Sequence, residues 1–153
     1  MEEGEHDPFG PFGERVDWRE KTLFVALRDG QGRLVARAGL LIDDISVAER
    51  PLRVVGLGDV LVAPSLRGRG LALKVVKAAV DRAISLGPEL IMLFCAPPNR
   101  GLYARLGFQD IRAPVTVGQP AGPVVMAAAA MWAPLRAGAR WPPGDVILHD
   151  LPF

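Results

Sequence analysis

The chain has 153 residues, half of them hydrophobic and 23% charged, with a formal net charge of +1. That length suits one domain with a real core, the composition is globular rather than disordered, and the charge balance argues against a nucleic-acid-binding protein. The single cysteine, Cys95, excludes an internal disulfide, and with two distant histidines it assembles no zinc-type cluster by spacing. The N-terminus is acidic (Glu2, Glu3, Glu5, Asp7), the reverse of a secretory signal, and no apolar run reaches membrane-spanning length. A cytoplasmic protein with no metal, membrane or nucleic-acid partner is expected.

Residues 1–17 are rich in Gly, Pro and acid and read as a loosely held arm that Phe9 and Phe12 could pin to the body. Residues 22–28 read as a strand, Asp29-Gly-Gln-Gly32 as a turn, and residues 33–47 as a second strand closing a hairpin. Residues 52–62 form a third strand, interrupted by Gly56 and Gly58, where a bulge or the close approach of a ligand is expected. Beyond it, Ala72, Val75, Val76, Ala79, Val80 and Ala83 recur three and four apart, which predicts an amphipathic helix stopped by Gly87-Pro88. The wholly apolar run 90–95 predicts a strand buried on both faces and parallel to the preceding one, because a helix connects them. Pro97-Pro98 opens a short helix ending at Gly107. Residues 108–111 begin another strand, and residues 124–134 supply one more, paired antiparallel with 108–117. Residues 136–153 form an apolar and aromatic tail that packs on the body, so the chain is one domain, with an edge strand and a tail that make a homodimer plausible.

The densest stretch is Val60-Leu-Val-Ala-Pro-Ser-Leu-Arg-Gly-Arg-Gly-Leu-Ala72. A strand, a glycine-bearing turn and a helix N-terminus leave backbone N–H groups pointing outward beside Arg67 and Arg69, which suits a phosphorylated ligand. The glycines match neither the dinucleotide fingerprint nor a P-loop.

Arg67-Gly68-Arg69-Gly70-Leu71-Ala72 resembles the R/Q-x-x-G-x-G/A acyl-CoA loop of the GNAT superfamily of N-acetyltransferases. Leu102-Tyr103-Ala-Arg-Leu106-Gly107-Phe108 resembles the L-Y-x-x-L-G-F segment that follows the second parallel strand in that superfamily. The two stand in the right order, and the resemblance covers roughly residues 20–132. It implies the GNAT fold, of the α+β kind: a mixed, mostly antiparallel sheet with a central splayed parallel pair and flanking helices, the N-terminal elements being reduced here. It implies acetyl-CoA as donor, with pantetheine along Val60, Leu61 and Val62. The diphosphate would rest on Arg67, Gly68, Arg69, Gly70, Leu71 and Ala72, where the two arginines bond phosphates or only raise the local potential. Tyr103 corresponds to the family's general acid, against a plain role as a packed core aromatic. A backbone N–H near Leu61 would polarise the carbonyl. Asp59 could be the base or could bond local backbone beside Gly58.

Within the superfamily the chain is similar to the aminoglycoside 2'-N-acetyltransferases. Asp17-Trp18, residues 58–71 and Trp141-x-x-Gly144-Asp145-Val146 carry that likeness, and acidic residues at the positions of Asp17 and Asp145 help hold a cationic acceptor there. The departures are Gly58, where that group has a glutamate, and a tail running on to Phe153. The expected activity is acetyl transfer to a small cationic amine. A non-catalytic acyl-CoA-binding module and an acyltransferase using another acyl chain are the alternatives.

Overall fold

The computed structural model describes residues 16–153, so the arm carrying Phe9 and Phe12 lies outside the described residues. Strands β1 (Leu23–Arg28), β2 (Leu34–Val47) and β3 (Arg50–Val62) form an antiparallel meander. Helix α1 (Leu71–Ile84) leads to β4 (Leu90–Cys95) and the short helix α2 (Arg100–Ala104). The chain closes with β5 (Gln109–Asp110), β6 (Val115–Val117), β7 (Val124–Val125), β8 (Ala129–Pro134) and β9 (Val146–Leu148). One sheet runs β5-β8-β4-β3-β2-β9-β6-β7, with β1 on the first half of β2. No helix among the described residues is long and apolar enough to cross a membrane.

Side-chain alternation divides the core into two layers. Ile91, Leu93 and Cys95 of β4 face α1 and meet its buried stripe of Val75, Val76, Ala79 and Ala83. Leu90, Met92 and Phe94 face the other way, against Leu41, Ile45, Val54 and the tail. This is why β4 has no polar residue: all six of its positions are buried. Helix α1 ends at Ile84 with Ser85 as its cap, a turn before the Gly87-Pro88 stop.

Two expectations change. Neither residues 108–117 nor residues 124–134 form one strand: β5 pairs with β8, while β6 pairs with β7, and β8 spends its other edge on β4. The tail does more than pack, because Val146–Leu148 enters the sheet, antiparallel to the end of β2 and parallel to β6.

The last residues lie over the glycines of β3. A Cβ at Gly56 would stand 2.5 Å from Phe153 Cγ, so the glycine admits the Phe153 ring, which is 1% exposed and 5.5 Å from the Phe94 ring. Arg19 clips this tail to the segment before β1. Its backbone N–H donates to the Pro152 carbonyl at 2.7 Å, its guanidinium donates to the Leu151 carbonyl at 2.8 Å, and the same group pairs with Asp43 at 2.7 Å.

Gly56→Ala is therefore expected to overpack this layer and cost about 1–3 kcal/mol. Phe153→Ala removes the ring, so the double variant should lose less than the two single losses together. Urea unfolding of the three variants checks both statements.

Candidate active site

The β3–β4 ladder holds only Val55–Ile91, Gly56–Met92 and Leu57–Leu93, and beyond that the two parallel strands part. On the other edge of β3 the register passes from Gly39–Gly58 to Arg37–Leu61, three steps on β3 against two on β2. The extra residue is a bulge, and Asp59 sits in it with φ of 51°, in the left-handed region. Leu61 and Val62 stay bonded to β2 while Phe94 and Cys95 stay bonded to β8. The facing edges of β3 and β4 are thereby drawn apart, which leaves backbone groups turned into a cleft.

A 3-10 turn at Pro64–Leu66 carries the chain to the glycine loop. Gly68 (φ 80°) and Gly70 (φ 75°) take left-handed conformations that an L side chain rarely adopts, and Gly70 is the residue from which α1 starts. The first-turn N–H groups of α1 have no carbonyl within the helix, and the helix dipole favours negative charge there. A cavity of about 500 Å³ runs along this ground, from Val60, Leu61 and Val62 to Arg67, Gly68, Gly70, Leu71 and Ala72. Of the predicted loop residues only Arg69 stands outside the lining, exposed to solvent.

Asp59 and Tyr103 meet at the inner end. Both line a cleft of about 30 Å³, whose other walls include Gly58, Phe94 and Cys95, and Tyr103 lines the larger cavity as well. Tyr103 is 8% exposed and stands edge-on to Phe108, ring centroids 6.0 Å apart. Burial first, and then the neighbouring Cys95, push its phenol up to about 12. Burial likewise pushes the Cys95 thiol up to about 11, which makes it a small apolar neighbour rather than a nucleophile. Asp59 is paired across the bulge with Lys21, Oδ1 to Nζ 3.5 Å.

The two acidic candidates at the chain ends are not brought together. Asp17 is exposed, next to Trp18, whose ring meets Phe94 edge-on at 6.1 Å; its backbone is held by the Gln119 amide. Asp145 lies beside the β2–β3 turn, its carbonyl accepting from Ala48 N–H. That is the far end of β3 from the cleft, about 25 Å along the strand at ~3.3 Å per residue. Gly144 takes φ of 126° against Ala48, and Trp141 packs on Trp132, so this C-terminal motif builds a corner of the fold.

Three further residues belong to the site. Asn99 precedes α2 but makes no side-chain cap bond; it lines both cavities instead. Arg105, at the far end of the same short helix, adds a cation to the larger cavity. Lys21 is the third. Nothing in its local sequence marks it, and only the cross-strand pairing of two glycines reveals it.

The sequence comparisons agree with this architecture. Residues 2–108 match the acetyltransferase (GNAT) family. The chain is 36% identical over 91 residues to glucosamine 6-phosphate N-acetyltransferase 1 of Oryza sativa subsp. japonica, covering 60% of this chain and 54% of that one. The chain thus spans about half or less of the length of the curated relatives it matches. Among solved structures it is similar to the GNAT family N-acetyltransferase YhbS from Escherichia coli in complex with CoA, with TM-score 0.58, 22% identity, and 84% of this chain and 68% of that one covered. It is also similar to a variant of the spermidine N-acetyltransferase SpeG from Vibrio cholerae, with TM-score 0.52, 20% identity, and coverage of 73% and 64%. The splayed pair, the glycine loop at the head of α1 and the matched family together establish that the chain belongs to the GNAT acetyltransferase family.

Proposed function

We propose that the chain is an acetyl-CoA-dependent N-acetyltransferase that moves an acetyl group directly to the amine of a small cationic acceptor. The observation that carries this is the meeting of Asp59 and Tyr103 on one small cleft that opens from the glycine-loop cavity. The residues present fit the donor. The parted edge of β3 offers unpaired amides and carbonyls to a pantetheine arm, and a bound arm would satisfy them. Amides from Arg67 to Ala72 would hold the diphosphate, with Arg67 and Arg105 adding charge. Acetyl-CoA supplies an activated thioester.

The chain's own residues do the rest. Asp59 takes a proton from the acceptor ammonium, directly or through water. A backbone N–H near Leu61 polarises the carbonyl. Tyr103, protonated at neutral pH and pushed further up to about 12 by its burial, donates to the departing sulfur. No side chain among the described residues bonds its hydroxyl, which favours the acid role over a plain core aromatic.

For the acceptor, glucosamine 6-phosphate and polyamines are suggested by the relatives, and an aminoglycoside by the Asp17-Trp18 pair. Asp17 supports a cationic acceptor better than Asp145, which lies far along β3. One observation favours a second reading, a donor-binding module without transfer: position 58 carries no carboxylate, and its side-chain space is taken by Lys21 and Phe153.

Isothermal titration with acetyl-CoA is expected to show one site per chain, and no heat at millimolar ligand would remove both readings. A thiol-release screen over glucosamine 6-phosphate, spermidine and tobramycin then separates enzyme from module. Tyr103→Phe should lower kcat by about 10²–10⁴ while acetyl-CoA affinity holds; unchanged turnover would exclude Tyr103 from the chemistry. Because Tyr103 is the only tyrosine, phenolate absorbance reports it alone, and the midpoint should lie near 12 rather than the ordinary 10.0. A pKa raised on folding also means that stability declines as pH climbs from the unfolded value toward the folded one. Alkaline denaturation curves should show that decline between those two values and none of it at neutral pH.

A further inference from the structure

Lys21 is a lysine in an unusual place. Its side chain is 1% exposed, and it enters the molecule across a pair of facing glycines, Gly39 of β2 and Gly58 of β3. A Cβ at Gly39 would stand 2.4 Å from Lys21 Cγ, and a Cβ at Gly58 would stand 2.7 Å from Cε and 3.1 Å from Nζ. The two glycines therefore form a slot just wide enough for the lysine stem. At the end of the slot the ammonium donates to the Arg19 carbonyl at 2.8 Å and lies 3.5 Å from Asp59 Oδ1. Asp59 itself remains 41% exposed and lines the cleft.

A buried ammonium is an expensive way to fill space, since an apolar side chain of the same length packs without desolvating a charge. The arrangement makes sense if the charge itself is used. Asp59 occupies a left-handed bulge position that holds its backbone but leaves its side chain free to rotate, and Lys21 is the ion-pair partner that the structure gives it.

We propose that Lys21 is the positioning residue of the acceptor side: threaded between Gly39 and Gly58, it holds the Asp59 carboxylate at the mouth of the splay, where Asp59 meets the acceptor ammonium. This rests on the reading of Asp59 as base. Lys21 touches neither donor nor acceptor and acts through Asp59. Burial, and after it the nearby Arg19, favour the neutral amine, whereas Asp59 favours the charged one. An acceptor ammonium and Lys21 compete for Asp59, so loss of Lys21 should leave acceptor binding intact or tighter while turnover falls.

The test uses Lys21→Met, which keeps the stem and removes the charge, beside Asp59→Asn and the double variant. Active protein is counted in each by acetyl-CoA titration stoichiometry, and kinetics use the panel amine that the wild type acetylates fastest. With Lys21→Met, kcat should fall by about tenfold or more, with the KM for acetyl-CoA unchanged and the KM for the amine unchanged or lower; the double variant should be no slower than Asp59→Asn, as expected of two residues acting as one unit. A kcat within about twofold of wild type for Lys21→Met, or losses that multiply in the double variant, overturns the proposal. If acetyl-CoA binds but no panel amine is acetylated, the enzyme reading fails separately. The pairing is then decided by the Asp59 carboxyl carbon resonance, which Lys21→Met should move and which, if unmoved, overturns the proposal as well.

Discussion

Everything distinctive about this molecule follows from two parallel strands that pair for three residues and then stop. Parallel strands in a closed sheet satisfy each other's backbone groups along their length. Here each strand is pulled toward its other neighbour, β3 by β2 and β4 by β8, and the bulge at Asp59 absorbs the mismatch in length. The parted edges are tolerable because they open on a cavity that water or a ligand can reach, so the groups are solvated rather than buried bare. The opening sets the positions of both the larger cavity and the small cleft shared by Asp59 and Tyr103.

The site draws its parts from both core layers, which is why no single segment contains it. Tyr103 comes from the α1 layer, beside Cys95 and Phe108, and Lys21 and Phe153 come from the opposite layer, across the glycines of β3. Asp59, in the bulge between them, belongs to the strand that both layers share. A bulge is a means of turning one side chain out of the strand's alternation, and here it sets a carboxylate that lines the cleft with Tyr103 beside an ammonium that enters from the layer opposite Leu57.

How much of this the sequence discloses depends on the range of the interaction. The helix stripe from Ala72 to Ala83, the apolar run of β4 and the loop glycines are local patterns, and each appears in the structure within a residue or two of its expected bounds. The strand, turn and helix that line the larger cavity are legible for the same reason, since they are contiguous. Pairing across the chain was not. Val146–Leu148 is too short to signal a strand, and only its register with Ser46 and Val47 makes it one. Gly56 and Gly58 announce a bulge or a close approach; the bulge follows Gly58, and Phe153 and Lys21 of the chain itself stand against the two glycines. Lys21 was invisible because its slot is a cross-strand pair, Gly39 with Gly58, that exists only once the hairpin has its bulged register.

The clip formed by Arg19 with Leu151 and Pro152 joins residues more than 130 positions apart in sequence. Closing so long a loop carries an entropic penalty that local contacts do not, and contacts of that span tend to form late. The hairpins, α1 and β4 can assemble from near neighbours. The wall over Gly56 and Gly58 must wait for both distant segments. The glycine loop with its splay and the layer over Gly56 and Gly58 thus differ in the sequence span of the contacts that build them. Sequence change in the clipped segments can therefore remodel the layer over those glycines while the loop and the splay are left as they are.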